Sequence, residues 1–126
     1  MKQVPRLLPP PSAPVPMLAS FGSILGLEGA RIDRTSGARP GDRIAVTTRW
    51  RLLRPNAVSY TLSVQLLDPS GKLVAQADGP PVAGQYPTAA WSVGESVVDQ
   101  RELTIPETAS PGRYRLIAGW YLLANG

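Results

Sequence analysis

The stretch 43–53 reads RIAVTTRWRLL. Along an extended backbone Ile44, Val46, Thr48, Trp50 and Leu52 share one side, while Arg43, Ala45, Thr47, Arg49 and Arg51 share the other. Successive side chains of a strand point to opposite faces, so this period of two predicts a strand with one face in a core and one in water. Gly41-Asp42 supplies a turn ahead of it, and Arg54-Pro55-Asn56 closes it.

The same pattern recurs on both sides. In SYTLSVQLLD (59–68), Tyr60, Leu62, Val64 and Leu66 alternate with Thr61, Ser63 and Gln65. DPSGK (68–72) then places proline early and glycine late, as a type I turn with a following bulge prefers. LVAQAD (73–78) returns as the partner, so 59–78 reads as a β-hairpin. ESVVDQRELTI (95–105) is extended up to Pro106, PETASPG (106–112) is a loop, and RYRLIAGWYLL (113–123) carries Tyr114, Leu116, Ala118 and Trp120 on one face. Earlier, SILGLEGARI (23–32) forms a first strand weakened by Gly26 and Gly29. No stretch sustains a 3.6-residue period. One apolar face per strand requires two sheets packed face to face. The expected fold is therefore all-β, an immunoglobulin-like antiparallel β-sandwich of six to seven strands with little helix. Trp50 and Trp120 belong to its core.

With 126 residues the chain has room for one domain. Six of its 14 prolines fall in the first 16 residues. Proline lacks a backbone donor and holds φ, so residues 1–20 read as a linker or tether and 21–126 as the sandwich. There is no cysteine and no histidine, which excludes disulfides, thiolate and imidazole metal sites and every mechanism with a histidine base. No apolar run reaches the ~18 residues of a membrane span. The longest candidate, MLASFGSILGL (17–27), is broken by two glycines, and the prolines ahead of it argue against a signal peptide. The expectation is a water-soluble piece of a larger protein.

The formal charge is +4. Seven arginines lie between residues 31 and 54 against Asp33 and Asp42, with Arg43, Arg49 and Arg51 on one strand face. Such a patch suits nucleic acid or anionic lipid. Nucleic-acid binders interleave that charge with exposed aromatics, whereas Trp50 faces the other way, so the arginines read as a solvated strand face and no nucleic acid is expected.

The segment DGPPVAGQYPTAAWSVGESVVD (78–99) breaks the alternation. Its carboxylates Asp78, Glu95 and Asp99 are too ordinary in placement to argue for a hydrolytic pair, and Asp68, Asp78 and Asp99 lack the spacing of a calcium loop. No catalytic residue, metal or cofactor is expected. Tyr86 and Trp91, with Asp78 and Glu95 nearby, offer a stacking platform for a carbohydrate ring. Against that, the prolines and aromatics of the loop fit a lid over one end of the sandwich, since a tryptophan hides on the order of 200 Å². The lid is the preferred reading.

The motifs LLDPSGKLVAQADGPP, YPTAAW followed by GE, and PGRYRL stand in a recognisable order. Over residues 21–122 the chain resembles a β-sandwich module at the C-terminal, extracytoplasmic end of Chloroflexi-type membrane glycosyltransferases of the dolichyl-phosphate-mannose-type class. The resemblance implies transferase chemistry in a membrane part, whose acidic positions have no counterpart here, and an accessory role for the module. It also implies one more strand after 113–122, where this sequence has Ala124-Asn125-Gly126. Asn-Gly is a strong hairpin signal, so either the sequence stops within a hairpin or another segment supplies the pairing; an uncovered edge there invites a strand from a membrane-embedded parent, a neighbouring protein or a second copy. The expected function is that of a non-catalytic accessory or interaction domain, extracytoplasmic and tethered to a membrane. A carbohydrate-binding module is the alternative.

Overall fold

The computed structural model describes residues 7–8, 19–34 and 36–122. Eight extended segments occur among them: β1 (Leu7–Leu8), β2 (Ala19–Phe21), β3 (Leu25–Ile32), β4 (Arg43–Leu52), β5 (Thr61–Leu67), β6 (Leu73–Gly79), β7 (Ser96–Thr104) and β8 (Arg115–Tyr121). The only helical turns described are two short 3₁₀ turns, Pro81–Gly84 and Thr88–Ala90. One sheet runs β1-β7-β4-β3-β2 and the other β6-β5-β8, with every pairing antiparallel. The chain is an all-β sandwich.

Alternation in β4 works as the sequence predicts: Ile44, Val46, Thr48, Trp50 and Leu52 are all buried. Opposite them stand Leu62, Val64 and Leu66 of β5, while Val97 and Leu103 of β7 extend the first sheet's inner face. Each such side chain stabilises the fold by about 1.5–3 kcal/mol through removal from water. Thr48 avoids an unpaired hydroxyl by accepting the Trp50 Nε1 hydrogen at 2.7 Å. The sheet centre is the β4–β7 ladder, in register from Arg43 opposite Thr104 to Arg51 opposite Ser96.

The predicted hairpin 59–78 forms, with β5 and β6 joined by a turn in which Gly71 takes φ 90°. Asp68 Oδ1 accepts the amides of Ser70 and Lys72 and the Ser70 hydroxyl, which closes that turn. Segments 53–60, 80–95 and 105–114 carry the chain between sheets.

Parts of the stretch read as a tether pair with the sandwich. Leu7 and Leu8 lie opposite Val97 and Ser96, and β2 begins at Ala19, ahead of the boundary drawn at residue 21. The remainder of the proline-rich stretch lies outside the described residues, as does the Asn125-Gly126 turn.

Candidate functional site

The 78–99 segment divides at β6 and β7. Between them Trp91 is 5 % exposed, and its ring meets Trp120 edge-on at 6.0 Å between centroids. Trp120 in turn meets Trp50 edge-on at 5.0 Å, and Phe21 lies 5.6 Å from Trp50. Edge-to-face contacts of this kind add about 0.5–1.5 kcal/mol each beyond area burial. Trp91 Nε1 donates to the Tyr86 carbonyl at 3.0 Å, and the Tyr86 hydroxyl bonds the Glu95 carboxylate at 2.8 and 2.9 Å. Partial burial, then the Glu95 contact, pushes the Tyr86 phenol up to about 12. Thr88 fastens the loop from the other side: its fully buried hydroxyl donates to the Val58 carbonyl at 2.7 Å and accepts the Tyr60 amide at 2.9 Å. The segment closes the end of the sandwich marked by Trp50, Leu62 and Trp120.

Of Tyr86, Trp91, Glu95 and Asp78, read from the sequence as the alternative stacking platform, three are neighbours here. Tyr86, Trp91 and Glu95 do come together, but Trp91 faces inward and offers no open ring face. Asp78 lies elsewhere, on β6, where it accepts the Ser63 hydroxyl at 2.7 Å and the Tyr121 hydroxyl at 3.0 Å.

Asp99 does not join the other carboxylates either. It is 1 % exposed on the inner face of β7, where its Oδ1 accepts the Val82 amide and an Arg101 Nη2 hydrogen, and its Oδ2 accepts the Arg101 Nε hydrogen. Arg101 Nη1 donates on to the Leu62 and Ala77 carbonyls, each at 3.0 Å. A guanidinium has five donors, and here they tie one sheet to the backbone of the other. Val82 and Ala83 sit at φ 55° and 53°, so the amide bond to Asp99 holds a backbone conformation costly to residues with a Cβ.

The arginine face of β4 is also altered by its neighbours. A register shift between Leu27 and Gly29 puts Glu28 in a bulge beside Arg49 and Arg51. Glu28 bonds Arg49 Nε at 3.2 Å, Arg51 Nε at 2.7 Å and the Ser96 hydroxyl at 2.7 Å, with its own side chain 1 % exposed. Burial raises its pKa, but the Ser96 and Arg51 hydrogen bonds and the two positive charges outweigh burial and leave it below the ordinary value. Of the three arginines expected to form a basic surface, two are therefore spent on Glu28, and Arg43 stays exposed at the start of β4. Glu28 lay outside the 31–54 charge window, and only pairing with β4 reveals its role.

The three-stranded sheet has two edge strands among the described residues, β6 and β8, and the larger exposed apolar surface lies at β8. Strand β8 pairs with β5 on one side and with no strand on the other among the described residues. Ile117, Tyr121 and Leu122 expose 47 %, 38 % and 58 % of their surface. Beside them a depression of about 280 Å³ is bordered by Phe21, Ser63, Asp78, Ile117, Gly119 and Tyr121. The Asp78 hydrogen bond, then burial, raises the Tyr121 phenol above its ordinary value. Trp120 Nε1 is buried with no hydrogen-bond partner among the described residues. An edge strand of this kind presents unpaired amides and carbonyls to an incoming strand.

Among the described residues no group of three or more His, Cys, Asp or Glu is placed to hold a metal ion, and no helix is long and apolar enough to cross a membrane. Comparison of the chain with protein-family models, curated proteins and solved structures returns no match.

Proposed function

We propose that this protein is a non-catalytic interaction module, an accessory sandwich that docks through the β8 edge onto a membrane-embedded parent or neighbouring protein on the extracytoplasmic side. The observation that carries the reading is the edge of β8, which no strand pairs among the described residues and which exposed Ile117, Tyr121 and Leu122 flank. Strand addition there uses main-chain hydrogen bonds for affinity and the adjoining depression for side-chain selection. An immunoglobulin-like assignment is supported by the strand order and by Tyr114, whose hydroxyl donates to the Ser110 carbonyl at 2.6 Å in the manner of a tyrosine corner. The sequence resemblance to sandwich modules of dolichyl-phosphate-mannose-type membrane glycosyltransferases supports the location and the accessory role. Sugar stacking loses support because Trp91 faces the core.

Photo-crosslinking in the native membrane tests the docking. A photoreactive residue at position 117 or 121 is expected to trap a multi-spanning membrane protein. One at exposed position 93, on the lid, is expected to trap none. Introducing Ile117→Lys alongside the probe at 121 is expected to abolish the adduct. Equal trapping from position 93, or no membrane adduct from 117 and 121, refutes the edge as the docking site.

A further inference from the structure

The two ends of the sandwich differ. One is shut by Trp91 and its loop, while the other opens into a cavity of about 770 Å³ between residues 36–40 with Arg34 on one side and residues 105–114 on the other. Its floor is the core itself: Ile44 of β4, Leu66 of β5, Ile105 just after β7, and Leu116 of β8. Its volume falls within the roughly 300–1,000 Å³ of small-molecule sites.

The rim carries one sign of charge. Arg34, Arg39 and Arg113 border the cavity, and no carboxylate does. Of the carboxylates on the same loops, Asp42 neutralises Arg34 of the rim, and Glu107 is exposed beside Gly41. Asp42 binds Arg34 Nη1 at 2.6 Å and the Arg39 amide at 2.9 Å, and Asp33 accepts the Ala45 amide. Arg39 and Arg113 are exposed, and neither guanidinium has a carboxylate within ion-pair distance among the described residues. Two unpaired guanidinium groups above an apolar floor match a ligand with an anionic head and a hydrocarbon body. The planar guanidinium fork suits carboxylate and phosphate oxygens alike.

We infer that this end of the sandwich is a binding site for a single-chain anionic amphiphile, an alkyl chain ending in a carboxylate or phosphate, with Arg39 and Arg113 holding the head and Ile44, Leu66, Ile105 and Leu116 receiving the chain. The site is separate from the β8 edge and does not depend on it. Tyr114 steadies one wall through its bond to Ser110, and Asp42 steadies the other through Arg34 and the Arg39 amide.

The test is calorimetric titration of the full chain with dodecanoate and with dodecyl phosphate, each below its micellar concentration. The expected result is saturable one-to-one binding of at least one of them. Affinity should rise about fourfold per added methylene through the series from octanoate to dodecanoate, or the matching alkyl phosphates. Dodecyltrimethylammonium, with the same tail and the opposite charge, is expected to bind at least tenfold more weakly. Arg39→Glu and Arg113→Glu should each weaken binding about tenfold, while Arg54→Glu, an equal charge change on an exposed residue at the lidded end, should leave it unchanged. All three positions are exposed, and circular dichroism verifies that the variants are folded. Absence of saturable binding by either anion overturns the inference. So does equal binding of the cationic amphiphile, or equal loss in all three variants.

Discussion

Replacing Trp91 with alanine tests whether the loop between β6 and β7 is a lid. The ring is 5 % exposed and belongs to the core cluster. A tryptophan side chain of about 200 Å² at ~25 cal/mol per Å² is worth about 5 kcal/mol. The unfolded chain already hides part of that surface, which brings the term to about 3–4 kcal/mol. Loss of the Nε1 bond to the Tyr86 carbonyl adds about 1 kcal/mol. Trp91→Ala is therefore expected to cost about 4 kcal/mol, within the ~3–5 kcal/mol typical of such truncations. A small domain has only about 5–15 kcal/mol in total, so the change is large. Urea unfolding followed by far-ultraviolet circular dichroism, which does not depend on the deleted fluorophore, should show the midpoint falling by about 2 M for a slope near ~2 kcal/mol/M. A loss below about 1 kcal/mol, together with saturable oligosaccharide quenching of the parent protein that the variant lacks, would refute the lid and restore the sugar platform.

Arg101→Leu strands the Asp99 carboxylate in the core and is expected to cost about 3 kcal/mol, with the Asp99→Asn/Arg101→Leu double variant recovering much of it; a coupling near zero in the urea-derived cycle contradicts the clamp. Ala83→Gly relieves a left-handed backbone at an exposed position and should stabilise by about 1 kcal/mol, read as a rise in thermal midpoint. Glu28 has a lowered pKa, so its contribution is present above the ordinary carboxylate range and fades as the pH falls through the folded value. Glu28→Gln should accordingly destabilise by about 2 kcal/mol at pH 7 and by clearly less at pH 3, as measured by urea unfolding at both. The Tyr86 phenol, raised from 10.0 to about 12, stabilises the fold below pH 10 and loses that effect as pH climbs toward 12. Tyr86→Phe should delete the latest-ionising tyrosinate from the absorbance titration at alkaline pH.

The fold was largely legible because strand alternation and turn chemistry are local. RIAVTTRWRLL shows its inner face in the order of its residues, and DPSGK shows its turn for the same reason. The lid was half legible: the prolines and two aromatics of 80–91 argue for a closed loop, but the direction of Trp91 depends on Trp120, some thirty residues away. Arg49 and Arg51 read as a solvated stripe because their partner Glu28 reaches them only through a bulge on another strand. Asp99 and Arg101 did carry a local signal, since residues two apart on a strand share a face. That signal pointed into the core, where charge is not expected, and only the Leu62 and Ala77 carbonyls of the opposite sheet account for it.

What the residue order determined by itself was the set of strands, the inward face of each, and the hairpin between β5 and β6, because those follow from period two and from turn residues within a few positions. The tertiary structure decided where charge is neutralised, and which end of the sandwich is shut and which is open. Those depend on contacts between residues far apart in the chain, such as Glu28 with Ser96, and they exist only once two sheets are laid face to face.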